Sequence, residues 1–78
     1  MQTKGEFRVG ISFNPSASGL VNDIKRKAAD LIDLIDSISS DRDSERGNEA
    51  GRLKALAQTA VEEAAMWAVK AATKPERE

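Results

Sequence analysis

Between residues 20 and 38 the apolar positions Val21, Ile24, Ala28, Leu31, Ile35 and Ile38 step by 3, 4, 3, 4 and 3. That is the spacing of one helix face. Leu20, Ala29, Ile32 and Leu34 widen the stripe. A second series, Ala50, Leu53, Ala57, Ala60, Ala64, Trp67 and Ala71, steps by 3, 4, 3, 4, 3 and 4. The stretch 39–48 between them is polar or Gly and predicts a loop, inside which the second helix is free to begin: Asp43, Ser44 and Asn48 can each cap it. Pro75 stops that helix near Thr73. The predicted plan is a single domain over 1–78: arm and cap 1–19, helix 20–38, loop 39–48, helix 49–73 and solvated tail 74–78. Two long helices and one short loop make an all-α antiparallel hairpin.

Ahead of the helices, Phe7, Val9, Ile11 and Phe13 alternate with Arg8, Gly10 and Ser12. Period two predicts a short extended N-terminal arm. No second strand pattern follows, so the arm either lies on the helices or pairs with another copy. Asn14, Ser16 and Ser18 are candidate caps for the first helix, and Pro15 pushes Asn14 toward an extended backbone.

From Ala64 to Ala72 eight of nine residues are apolar and cover the whole circumference. A helix apolar all round is buried all round. A 78-residue chain cannot bury both sides of it, which predicts a homo-oligomeric helical bundle. Lys70 is the one charge in that run. Either its stem packs while the ammonium reaches water, or it points into a pocket between subunits to meet an anion. Trp67 lies on the predicted seam, where core packing is the expected role.

Composition removes whole classes of chemistry. With no Cys and no His, thiolate nucleophiles, disulfides, Cys/His zinc sites and an imidazole base are excluded. Asp30, Asp33 and Asp36 lack a completing ligand and read as a solvated acidic face. The glycines have the wrong spacing for a phosphate loop. Twelve basic against thirteen acidic residues give a net charge of −1, not the excess that tracks DNA. No apolar run approaches the ~20 residues of a membrane span, and the first residues carry no signal-peptide apolar region. The expectation is a soluble intracellular non-enzyme without a cofactor.

The basic cluster Lys25, Arg26 and Lys27 lies near the start of the first helix. Arg26 and Asp30 form an i,i+4 pair, whereas Lys25 has no carboxylate one turn away. A helix start, such a Lys and the neighbouring Phe13 and Asn14 are the parts of a nucleotide-phosphate site.

Phe13, Asn14, Pro15 and Ser16 leading into Val21, Ile24 and Lys25, together with the run Ala65 to Ala71 and Thr73, resemble the hairpin-domain family of phage anti-CBASS and anti-Thoeris proteins. These small sponges sequester cyclic nucleotide signals of bacterial immunity. The resemblance spans roughly residues 7–75. It implies a helical oligomer, typically a hexamer built as a trimer of dimers. Such an oligomer binds cyclic dinucleotides between protomers, and in some members cyclic trinucleotides or cyclic ADP-ribose-type signals, without cleaving them. It implies the cytoplasm of an infected bacterial host as the place of action. Lys25 matches the family's phosphate-contacting Lys, and Lys70 the basic residue late in the second helix. Members stack a base on a Tyr ahead of the first helix; this chain has no Tyr, so Phe13, or else Phe7, supplies the ring. The expected ligand-binding residues are Phe13 for stacking, Asn14 for base or ribose, and Lys25 and Lys70 for phosphate. Arg26, Trp67 and Thr73 stand at the edge of that set. The competing reading is a structural or adaptor bundle with no small ligand.

Overall fold

Thr3 and Glu6 close a reciprocal capping box. The Glu6 amide donates to the Thr3 hydroxyl at 3.1 Å, and the Thr3 amide donates to the Glu6 carboxylate at 2.8 Å. This satisfies two otherwise orphaned donors and starts helix α1, Lys4–Val9. Gly10 ends it in the left-handed region at φ 66°, a conformation open to glycine at little cost. The Ile11 amide then returns to the Glu6 carbonyl at 3.0 Å. The extended arm predicted over 7–13 is therefore corrected. Its first residues are helical, because the capping box and the glycine stop outweigh a four-residue alternation.

The computed structural model describes residues 1–15 and 17–77; the candidate cap Ser16 lies outside them. Ser18 caps helix α2, Gly19–Asp36, by accepting from the Val21 amide at 3.3 Å. Ser44 caps helix α3, Glu45–Ala72, by accepting from the Gly47 amide at 2.9 Å, so α3 begins inside the stretch predicted as loop. Helices α2 and α3 form the hairpin, with α1 laid against it. The described residues contain three helices and no strand.

The face that α2 turns inward carries Val21, Lys25, Ala29 and Ile32, all buried. On α3 the buried positions are Gly47, Gln58 and Ala65, with Gly51, Lys54, Val61 and Val69 half-buried. This is not the predicted seam. Leu53, Ala57, Ala60, Ala64, Trp67 and Ala71 are exposed in the protomer. An alanine-rich helix is apolar on more than one side, so periodicity alone does not say which stripe faces the partner helix. Hydrogen bonding chooses. Gln58 turned inward donates to the Ile32 carbonyl and to Asp36, both at 3.1 Å, and Lys54 donates to the Ile38 carbonyl at 3.0 Å.

Helix α1 is docked largely by polar contacts. Gly5 sits so close to α2 that a Cβ there would lie 2.1 Å from the Ala29 carbonyl oxygen. Its amide donates to Asp33 at 2.7 Å. Lys4 donates to Asp36 and to Gln58, both at 3.0 Å, Arg8 pairs with Glu62 at 2.7 Å, and Arg26 pairs with Glu6 at 2.7 Å. Asp33 and Asp36 thus hold α1 in place, which corrects the reading of a merely solvated acidic face. The protomer is flat and long, 55 × 28 × 12 Å. Its radius of gyration is 15.0 Å, against about 11.5 Å for a compact chain of this length. Among the described residues no helix is long and apolar enough to cross a membrane.

Candidate functional site

At the end of the hairpin away from the loop, the start of α2 meets the end of α3. Val21 and Lys25 lie one turn apart on α2, and Thr73, the C-cap of α3, lies one turn beyond Val69. With Phe13, Asn14 and Pro15 they line a cleft of about 220 Å³. Val21 and Val69 are the walls that sequence reasoning left out of the site. Their i,i+4 relation to Lys25 and Thr73 was the available signal.

Lys25 is only 6% exposed. Its ammonium donates to the Gly10 carbonyl at 3.0 Å and to the Phe13 carbonyl, and it lies 5.3 Å from the centroid of the Phe13 ring. The side chain therefore also pins the turn between α1 and α2, a role its lack of a neighbouring carboxylate did not reveal. An ammonium has three donors, so one N–H and the full charge remain for a ligand. Phe13 is 73% exposed and leaves its ring open to stacking. The Asn14 amide donates to the Ser18 carbonyl at 2.9 Å and to Asn22 at 2.8 Å, fixing the approach to α2. Thr73 ends α3, its hydroxyl donating to the Val69 carbonyl at 2.8 Å.

Lys25 and Val69 also border a second cleft, of about 290 Å³, whose other lining includes Arg8, Val9, Glu62 and Met66. Lys25 thus stands between two clefts at one end of the molecule.

The remaining expected residues lie elsewhere on the surface. Arg26 is held by Glu6 at 2.7 Å and Asp30 at 2.8 Å. The Glu6 bond first, then that to Asp30, pushes its guanidinium pKa further up; it lines neither cleft. Trp67 is 57% exposed rather than packed inside the hairpin, because α3 turns its Gln58 stripe inward instead. Lys70 is exposed, its ammonium 5.5 Å from the Trp67 ring centroid. Both remain at the same end of the molecule as Lys25, far from Asp41, Asp43 and Glu45 at the loop.

A flat helical hairpin, crossed by one short helix and carrying an aromatic-edged cationic cleft at its terminal end, defines a small all-helical hairpin module. The chain belongs to the Acb2/Tad1 hairpin-domain family, whose model matches residues 3–73. This is the family of the anti-CBASS and anti-Thoeris sponges, which bind rather than cleave. Neither curated proteins nor solved structures yield a match.

Proposed function

We propose that this protein is a phage immune-evasion sponge. It binds cyclic oligonucleotide second messengers in the cytoplasm of the infected host and holds them without cleaving them. The observation that carries this reading is the convergence of Phe13, Asn14, Lys25 and Thr73 on one cleft, in a chain of the sponge family. A cyclic dinucleotide offers flat bases and two phosphates. An open Phe ring suits the first, at about 1–3 kcal/mol per stacked base. An ammonium with a spare N–H suits the second, at roughly 1.5–3 kcal/mol per charge-assisted bond. Cyclic trinucleotides and cyclic ADP-ribose-type signals present the same two chemistries.

The working unit in this reading is a homo-oligomer, a hexamer arranged as a trimer of dimers. Its support is the exposed apolar surface of α3, where Leu53, Leu56, Met66 and Trp67 have no cover within one chain. Lys70 and Trp67 then complete the pocket of a neighbouring protomer, adding a cation and a ring to those of Phe13 and Lys25.

Calorimetry and thermal shift against cyclic di- and trinucleotides and cyclic ADP-ribose isomers test the proposal. Saturable binding, with intact ligand recovered after heating the complex, is the expected result. An assembled protein that binds none of them is an adaptor or structural bundle. Recovery of hydrolysed ligand makes it an enzyme.

A further inference from the structure

The opposite end of the molecule carries a third cleft, a polar one, independent of the cyclic-nucleotide reading. It has a volume of about 350 Å³ and lies where the N-terminus of α1, the interhelical loop and the first turns of α3 meet. Three cations line it, Lys4, Arg42 and Lys54, against a single carboxylate, Asp36. The lining residues therefore sum to +2 (three minus one), with the carboxylates Asp41, Asp43 and Glu45 at the loop exposed outside the lining.

The carboxylate does not cancel this. Asp36 is already held by Lys4 at 3.0 Å, by the Gln58 amide at 3.1 Å and by Lys54 at 3.9 Å. Donor capacity is left over on every cation. Lys4 uses two of its three N–H groups, on Asp36 and Gln58, and Lys54 donates one to the Ile38 carbonyl. Arg42 is exposed and its guanidinium has no partner among the described residues. Gly51 adds no side chain to the wall that faces Ser40. The α3 dipole, positive at the end where Gly47 and Asn48 border the cleft, adds to the same sign.

We propose that this cleft binds the phosphate group of a small phosphate compound, free or esterified. The cations come from three separate segments, the first residue of α1, the loop and α3. That arrangement offers donors to a tetrahedral, doubly charged anion from several sides, whereas a planar carboxylate is satisfied by one guanidinium fork.

Amide and arginine Nε resonances of the full chain, followed during titration with inorganic phosphate and with glycerol phosphate at constant ionic strength, decide the matter. Saturable shifts at Gly47, Asn48, Gly51 and the Arg42 Nε, without matching shifts at Phe13 and Thr73, are expected. Whichever compound binds more tightly identifies the source of the phosphate. Arg42→Gln should weaken that binding about tenfold. Arg46→Gln removes the same charge from an exposed residue outside the lining and should change it less than about twofold. Shifts that grow linearly without saturating, or equal losses in the two variants, would mean diffuse attraction and overturn the site.

Discussion

The ammonium of Lys25 lies 5.3 Å from the centroid of the Phe13 ring while donating to the main-chain carbonyl of the same residue. One cation thereby fixes both the position of the ring and the path of the chain that carries it. Lys25→Ala is expected to lower ligand affinity by about 1.5–3 kcal/mol. It should also lower folding stability, because the Gly10 and Phe13 carbonyls lose their donor. Calorimetry and urea denaturation on the same variant measure the two losses; an unchanged urea midpoint would show that the pinning contacts contribute nothing.

Phe13→Ala separates these effects. The ring is largely exposed, so the expected cost to folding is small, limited to the cation–π contact at about 0.5–1 kcal/mol. The stacked base should lose about 1–3 kcal/mol. Phe13→Tyr restores the ring and should bind at least as tightly as the natural sequence. Calorimetry with a cyclic dinucleotide reads all three proteins.

Gly5→Ala should detach or displace α1. The new methyl would meet the Ala29 carbonyl oxygen and its neighbouring carbon atoms, backbone that cannot rotate away. Overpacking of this kind costs about 1–3 kcal/mol. Amide exchange should speed up over residues 4–10 while α3 retains its protection. Unaltered exchange in α1 would contradict the close approach.

Acid should loosen the same helix. The bond from Arg26 holds the Glu6 carboxyl below its ordinary 4.5. The bonds from Lys4, then Gln58, hold Asp36 below 3.8. A carboxyl depressed in the folded state contributes stability that is present above its unfolded pKa and lost as pH falls through the folded one. The urea midpoint should therefore fall with pH below about 4.5, and Asp36→Asn should flatten part of that slope. Asp36 is exposed and Glu6 half-buried, so high salt should shrink the effect, more for Asp36 than for Glu6.

Trp67→Ala and Ile32→Ala should fail differently. Ile32 is fully buried against α3, and its truncation should cost about 2–5 kcal/mol of folding stability. Trp67 stands outside the protomer's core, so its removal should leave helical circular dichroism intact and reduce the mass measured by sedimentation. A Trp67 variant that unfolds at unchanged mass would place the ring in the core after all.

The two long helices were legible because their apolar residues recur every three or four positions, with polar residues between the runs. Helix α1 was not, although its signals were present: Thr3 and Glu6 at capping-box spacing and Gly10 at the stop. The alternation of Phe7, Val9, Ile11 and Phe13 matches the period of an extended chain and masks them. The inward face of α3 was hidden for another reason. It is marked by Gly47, Gly51, Lys54 and Gln58, which hydrophobicity does not distinguish from surface. Of the expected site, Phe13, Asn14, Lys25 and Thr73 lie on one cleft because the hairpin brings the start of α2 against the end of α3. The lack of a carboxylate one turn from Lys25 and its nearness to the turn are the marks of this in the sequence. Arg26 lies apart, since its second partner, Glu6, comes from a helix that periodicity did not reveal.

The inward face of α3, with its glycines and its glutamine, has a calorimetric consequence. Among the described residues only Val21, Ala29, Ile32 and Ala65 form a buried apolar core, so a single chain hides little hydrocarbon from water. Heat capacity on melting tracks apolar surface newly hydrated, and a protein of this length is expected to show about 1 kcal/mol/K. An isolated protomer should fall well short of that figure. Any preparation that reaches it must be exposing surface that was covered by another chain, and its melting temperature will then rise with protein concentration.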